Sequence, residues 1–185
     1  LDSESAAELL ELMDDKSAAA ALAEMETPLA RIVVEDLLDE DKAEILSLIV
    51  GMMAPDDAAE LMRILDSSPR EQILSFIPLH EANSIRKLLG YDPETAGGVM
   101  TTDYRTLRDH STLAQAVEHL RQQQMPEEQR ILPVVDKGNR LVGIIRIRDL
   151  LFNDPSGIIE DAMDNTVHAV RSQTDREEVA KQFSR

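Results

Sequence analysis

The chain has 185 residues, 43% of them apolar, which is enough for one large domain or two small ones with packed cores. It has no cysteine, which excludes a disulfide framework, a thiolate metal site and a thiol nucleophile. A formal net charge of −17 argues against binding a nucleic acid backbone, because the two surfaces repel, and favours cations or basic partners.

The charge is unevenly distributed. Residues 1–96 hold 22 acidic and 7 basic side chains, against 14 and 12 in residues 97–185. Two readings stand for the acidic half, a solubilising helical surface or a cation-binding one. The most apolar run, Ile45 to Ala54, is broken by Ser47 and Gly51. It reaches only about half of the roughly twenty residues that a spanning helix needs. Leu1 is not an initiator methionine and no basic segment leads into an apolar one, so the sequence reads as an excised, soluble, intracellular piece.

The first half reads as helices throughout. Ala-Glu followed by two apolar residues occurs at Ala7-Glu8, Ala43-Glu44 and Ala59-Glu60, an approximate helical repeat. Pro55 suits a first helical position, Asp56 and Asp57 suit the positive helix end, and Ala58, Leu61, Met62 and Leu65 recur at helical spacing. Ser68-Pro69-Arg70-Glu71 reads as a capping box opening a further helix that Pro78 closes. Leu79 to Leu89 forms the last helix, ended by Gly90. Short amphipathic helices bury their stripes by stacking on neighbours, so a compact superhelix is expected.

Leu88 to Tyr104, LLGYDPETAGGVMTTDY, then joins two differently built halves. Gly97-Gly98 marks a place where the backbone turns or approaches another group closely, and Val99-Met100-Thr101 reads as a short strand opening a second domain. Beyond it the period changes. Thr112-Leu113-Ala114-Gln115 is a capping box for a helix with Leu113, Ala116, Val117 and Leu120 on one face. Ile131–Val135, the turn Asp136-Lys137-Gly138-Asn139 and Leu141–Ile145 form a hairpin, with Pro133 best suited to an edge. Arg148-Asp149-Leu150-Leu151 starts a short helix. After Asn153-Asp154-Pro155, Thr166–Val170 reads as the first strand of another module, and the helix after it opens with a capping box, Thr174-Asp175-Arg176-Glu177.

The linker and the string LPVVDKGNRLVGIIRIRDLL, Leu132 to Leu151, resemble the cytosolic region of the MgtE-type magnesium channels and transporters. That family has an acidic helical N-terminal domain, this hinge and then paired cystathionine-β-synthase (CBS) modules. The resemblance implies an α plus α/β fold. Residues 1–90 would be the N-terminal helical superhelix, 91–98 the linker, 99–160 a first CBS module, and 161–185 the start of a second. It implies a non-enzymatic regulator on the cytoplasmic face of the membrane, gating a pore domain of the same parent chain by Mg2+-dependent closure. A homodimer through the CBS modules and no nucleic acid partner belong to the same reading.

The resemblance further implies Mg2+ ligands at Asp56, Glu60, Gly98 and Glu177, with Gly98 offering its backbone carbonyl and Glu24 or Glu35 serving for a further acidic position. Asp56 and Glu60 lie four apart on one helix face, and Mg2+ takes one or two carboxylates. Each has a plainer reading: Asp56 complements the helix dipole, Glu60 is solvated, Gly98 is a turn glycine, and Glu177 completes the box with Thr174. Asp149 matches the position that bonds the ribose of ATP or another adenine nucleotide in CBS modules, or it caps its own helix. Arg146 stands where that motif has Ser or Thr, and no aromatic residue stands near Ile131 to stack a base. His80, His110, His119 and His168 show no metal-ligand spacing, and no nucleophile or phosphate-loop motif occurs. Two alternatives remain. One is a CBS nucleotide sensor on another protein, and the other is a docking scaffold, since the helical half also resembles the repeats of flagellar motor switch proteins.

Overall fold

The computed structural model describes residues 3–39, 42–123, 125–126 and 129–183. These form two compact units, Leu1–Thr102 with Val170–Arg185, and Asp103–Ala169.

The first unit is built on seven consecutive helices: α1 (Ser3–Leu12), α2 (Asp15–Ala23), α3 (Thr27–Asp39), α4 (Ala43–Met52), α5 (Pro55–Arg63), α6 (Ser67–Phe76) and α7 (Leu79–Leu89). Each is about three turns long, too short to be stable alone, so packing of apolar faces must hold them. The packing follows one rule: α1 lies on α3, α2 on α4, α4 on α6 and α5 on α7. A helix that repeatedly meets the helix two along winds into a superhelix, as the sequence implies. Leu10, Leu22, Leu37, Leu46, Met62, Ile73 and Leu88 fill its continuous core.

The local signals act as expected in part. Pro55 is at the first position of α5, and Ala54 before it makes no side-chain cap, so Asp56 and Asp57 supply the negative charge that the helix end favours. The box at Ser68 does not form. The helix starts two residues earlier, at Ser67 with Asp66 as its N-cap, and no side chain caps it. Gly90 caps α7 with φ −74°, so it makes no use of the left-handed region.

Val99-Met100-Thr101 is not a strand. Ala96–Val99 forms a single helical turn, α8, and Met100 packs on the helical core. The chain returns to this turn after Val170. The amides of Ala96 and Gly97 donate to the carbonyls of Thr174 (2.7 Å) and Ser172 (2.8 Å), and Arg176 N–H donates to Glu94 O at 2.9 Å. Thr95 and Asp175 thus form an antiparallel bridge, and the Arg176 guanidinium pairs with Glu94 at 2.8 Å.

The second unit contains β1 (Leu107–Arg108), α9 (Leu113–Gln122), β2 (Ile131–Val135), β3 (Leu141–Arg146), α10 (Ile147–Phe152) and α11 (Ile159–Ala162). The strand–helix–strand–strand–helix order is the one expected, but its first strand is Leu107–Arg108 and not Val99–Thr101. The sheet order is β1-β2-β3, with β1 parallel and β3 antiparallel to β2. Pro133 therefore lies on the central strand. It is tolerated because β1 is only two residues long and pairs with Val134 and Val135, beyond the proline. Upstream, the Gln129 side chain takes the missing strand's part, accepting from Arg105 N–H and donating to Arg105 O, both at 2.8 Å.

The Thr112–Gln115 capping box is complete. The hairpin turn is held by Asp136 Oδ1, which accepts from the amides of Gly138 (2.8 Å) and Arg140 (2.9 Å), with Asn139 left-handed at φ 59°. Leu107, Leu113, Leu132, Val134, Ile145, Leu150 and Ile159 make a separate core.

Residues 166–170 form no strand, contrary to expectation. Only α12 (Arg176–Phe183) follows, with Val170 onward belonging to the helical unit. Its cap is not Thr174, whose carbonyl serves Ala96. Asp175 takes that role, its Oδ1 accepting from Glu177 N–H at 2.8 Å and its carbonyl accepting the first helical bond from Val179.

Candidate metal site of the helical unit

In α5 the spacing of four places Asp56 and Glu60 on one face, one turn apart. Asp56 is half-buried, and its Oδ1 is fully removed from solvent with no hydrogen-bond donor beside it. A buried carboxylate oxygen left without a partner costs on the order of 1–3 kcal/mol or more, and a bound cation is one remedy. Glu60 is exposed. With Asp57 it borders a small cavity of about 80 Å³ whose other walls include Leu22, Met25, Thr27 and Met53.

Gly98 is required for close approach, not for an unusual φ. A Cβ there would fall 2.2 Å from Asp92 O and 2.6 Å from Pro93 Cα, and one on Gly97 would fall 2.4 Å from the Tyr91 ring. No glycine among the described residues has positive φ. The Gly98 carbonyl already accepts a hydrogen bond. Arg63, at the end of α5, donates from Nη1 to Gly98 O (3.3 Å) and from Nη2 to Leu88 O (2.9 Å). Arg63 follows Asp56 by seven and Glu60 by three residues, so all three occupy one stripe of α5.

The donor set suits Mg2+ in part: Asp56 supplies an unpartnered buried oxygen and Glu60 an open carboxylate, whereas the Gly98 carbonyl faces a guanidinium. Among the described residues, no group of three or more His, Asp and Glu side chains is assembled for a metal. Glu177 is exposed in the first turn of α12, away from α5 in sequence, and nothing prearranges its carboxylate. Glu24 is the C-cap of α2, and Glu35 pairs with Arg31 at 3.8 Å on α3. Arg63 is the residue that sequence reasoning missed. The available signal was one base ending an otherwise acidic helix, where it meets the negative dipole.

In the second unit, Asp149 is half-buried in the first turn of α10 and does not cap it, because Arg146 is the N-cap and makes no side-chain bond. The Asp149 carbonyl is taken by Asn153, from its amide (3.3 Å) and its side chain (2.8 Å). Elsewhere an open cavity of about 620 Å³ is lined by Thr106, Arg108, His110, Ser111, Gln115 and His119 among others. The His110 ring bonds Asp109 at 2.8 Å and holds that carboxyl below the usual carboxylate range. Two of the scattered histidines thus share one cavity, with no third ligating group among the described residues.

Two family models match the chain, the MgtE intracellular N domain over residues 1–94 and the CBS domain over residues 96–155. Curated relatives named magnesium transporter MgtE include those of Enterococcus faecalis (39% identical, covering 55% of this chain and 22% of the relative) and Bacillus subtilis (30% identical, 84% and 34%). The chain thus spans about a fifth to a third of the length of the curated relatives it matches. Among solved structures, one described as the soluble part of a magnesium transporter superimposes with TM-score 0.87 at 31% identity, covering 100% of this chain and 72% of that one. Another, described as the cytosolic domain of the Mg2+ channel MgtE in complex with ATP, gives TM-score 0.88 at 26% identity, covering 100% and 74%.

Proposed function

Since this chain belongs to the MgtE family, we propose that it is the magnesium-sensing regulatory region of a magnesium transporter or channel, acting on a pore carried elsewhere in the parent protein. The reading makes it a non-enzymatic domain at the cytoplasmic face of the membrane. Its main support is that the whole chain, both units in order, is similar to the soluble part of a magnesium transporter. Among the described residues no helix is long and apolar enough to cross a membrane.

At residue level, the reading rests on Asp56 and Glu60. Mg2+ would neutralise the half-buried Asp56 carboxylate together with Glu60, with Gly98 and Glu177 as further donors. An ion gates only through a difference in affinity between states. Moving a gate from 1:99 to 99:1 needs roughly 5.5 kcal/mol of such difference, so several modest sites on an acidic unit serve better than one tight one. Closure of the domains when Mg2+ is ample is the proposed output.

The test is thermal melting and small-angle scattering with Mg2+ titrated through the low millimolar range, against sodium at matched ionic strength. Wild type is expected to compact and gain stability with Mg2+ specifically. Asp56→Ala with Glu60→Ala is expected to lose most of that gain. An equal response in the double variant removes these residues from the proposal, and an equal response to sodium reduces the effect to screening.

A second reading, adenine nucleotide binding by the CBS unit through Asp149, draws support from the similar cytosolic domain solved with ATP. A homodimer through the CBS unit is supported by a mainly apolar groove of about 250 Å³ between α9 and α10, lined by Val117, Leu120, Met125, Ile147, Leu150 and Leu151 together with Arg121. Phe152, which follows Leu151 in sequence, is 83% exposed. Sedimentation equilibrium is expected to give a dimer that Phe152→Asp weakens at least about ten-fold, and a monomeric wild type would refute it.

A further inference from the structure

Arg63 holds the oxygen that a cation would want. Its guanidinium donates to Gly98 O and to Leu88 O, joining the end of α5 to the end of α7 and to the α8 turn. In a unit whose first 96 residues carry only 7 bases against 22 acids, this cation is committed to two backbone carbonyls and not to an acidic partner. Asp56, on the same stripe of the same helix, keeps a buried oxygen with no donor.

We propose that Arg63 is a resident cation that competes with Mg2+ for the Gly98 carbonyl, setting the Mg2+ concentration at which the helical unit responds. The proposal rests on the reading that Asp56, Glu60 and Gly98 bind Mg2+. Two cations sharing one carbonyl oxygen in a half-buried place repel strongly, because water screens them poorly there. Divalent binding at Gly98 therefore requires the guanidinium to withdraw, and its withdrawal frees the Leu88 carbonyl as well. In low Mg2+ the arginine keeps the hinge ordered. In high Mg2+ the ion replaces it, so the hinge is held in both conditions by different charges.

The experiment measures Mg2+ affinity by calorimetry for the wild type and for Arg63→Gln, which removes the charge and keeps an amide donor. Arg63→Gln is expected to bind Mg2+ at least about five-fold more tightly, the size of a modest coupling between sites. An unchanged or weaker affinity in the folded variant overturns the proposal while leaving Mg2+ binding intact. If neither protein binds Mg2+, the magnesium reading fails together with it. A second measurement needs no variant. In wild type, the 15N-labelled Arg63 Nη–H signals, which come from the groups that bond Gly98 O and Leu88 O, are expected to shift and lose exchange protection as Mg2+ saturates the protein. A side chain that stays protected at saturation refutes displacement, whatever becomes of the glutamine variant.

Discussion

Gly98→Ala is expected to destabilise the helical unit by ~3 kcal/mol, the upper end for forced overpacking, and to shift its melting down by at least about ten degrees. The reason is what the added methyl meets. It would lie 2.2 Å from Asp92 O and 2.6 Å from Pro93 Cα, both backbone atoms that cannot rotate away. Asp92 O is further fixed by bonds from Thr95 N–H (3.0 Å) and the Thr95 hydroxyl (2.7 Å). The backbone of this turn must therefore open, and opening it pulls Gly98 O from Arg63. Hydrogen exchange is expected to rise first at the amides of Ala96 and Gly97, which bond the carbonyls of Thr174 and Ser172. A variant that melts within a degree of wild type would show that the turn is not tight.

Leu132→Ala should produce the other large loss, about 2–5 kcal/mol, because Leu132 is wholly buried among Leu107, Leu113, Val134 and Ile145 and the vacated space cannot fully collapse. The two cores have no residue in common. The loss is thus expected in the CBS unit alone: exchange accelerates in β2, β3 and α9, while protection in α4 and α6 stays within about two-fold. Uniform acceleration across both cores would show that the units unfold as one.

The architecture was legible because helical periodicity ends and strand signals begin on either side of the Gly97-Gly98 pair. Thr112 and Gln115 gave their capping box from type and spacing alone, and the turn after Val135 followed from Asp136 and Gly138. The errors have physical causes. Ser68 carries the right pattern, but Ser67 already lies in the helix and Asp66 is its N-cap, which moves the start by two residues. Val99 and Thr101 have strand propensity, yet packing of the partly buried Met100 on the helical core decides the conformation here. Thr174 lost its capping role to Asp175 because its carbonyl was drawn to Ala96.

The candidate site was less legible than the fold. Spacing alone places Asp56 and Glu60 on one helix face, since that relation is local. That Asp56 buries an oxygen, that Glu60 stays exposed, and that Arg63 reaches a carbonyl 35 residues away depend on packing among helices, which periodicity does not encode.

The bridge between Thr95 and Asp175 has a kinetic consequence. It makes the CBS unit an insertion, with the chain leaving the helical unit at Thr102 and re-entering it at Val170. Closing so long a loop in an unfolded chain is entropically costly, though each doubling of length adds only ~0.6 kcal/mol. Once residues 103–169 have collapsed onto their own core, the remaining free chain is short. The order of assembly follows: the inserted unit forms early from near neighbours in sequence, and the bridge with α12 closes late. On a ribosome, the hinge is completed only after α12 has emerged.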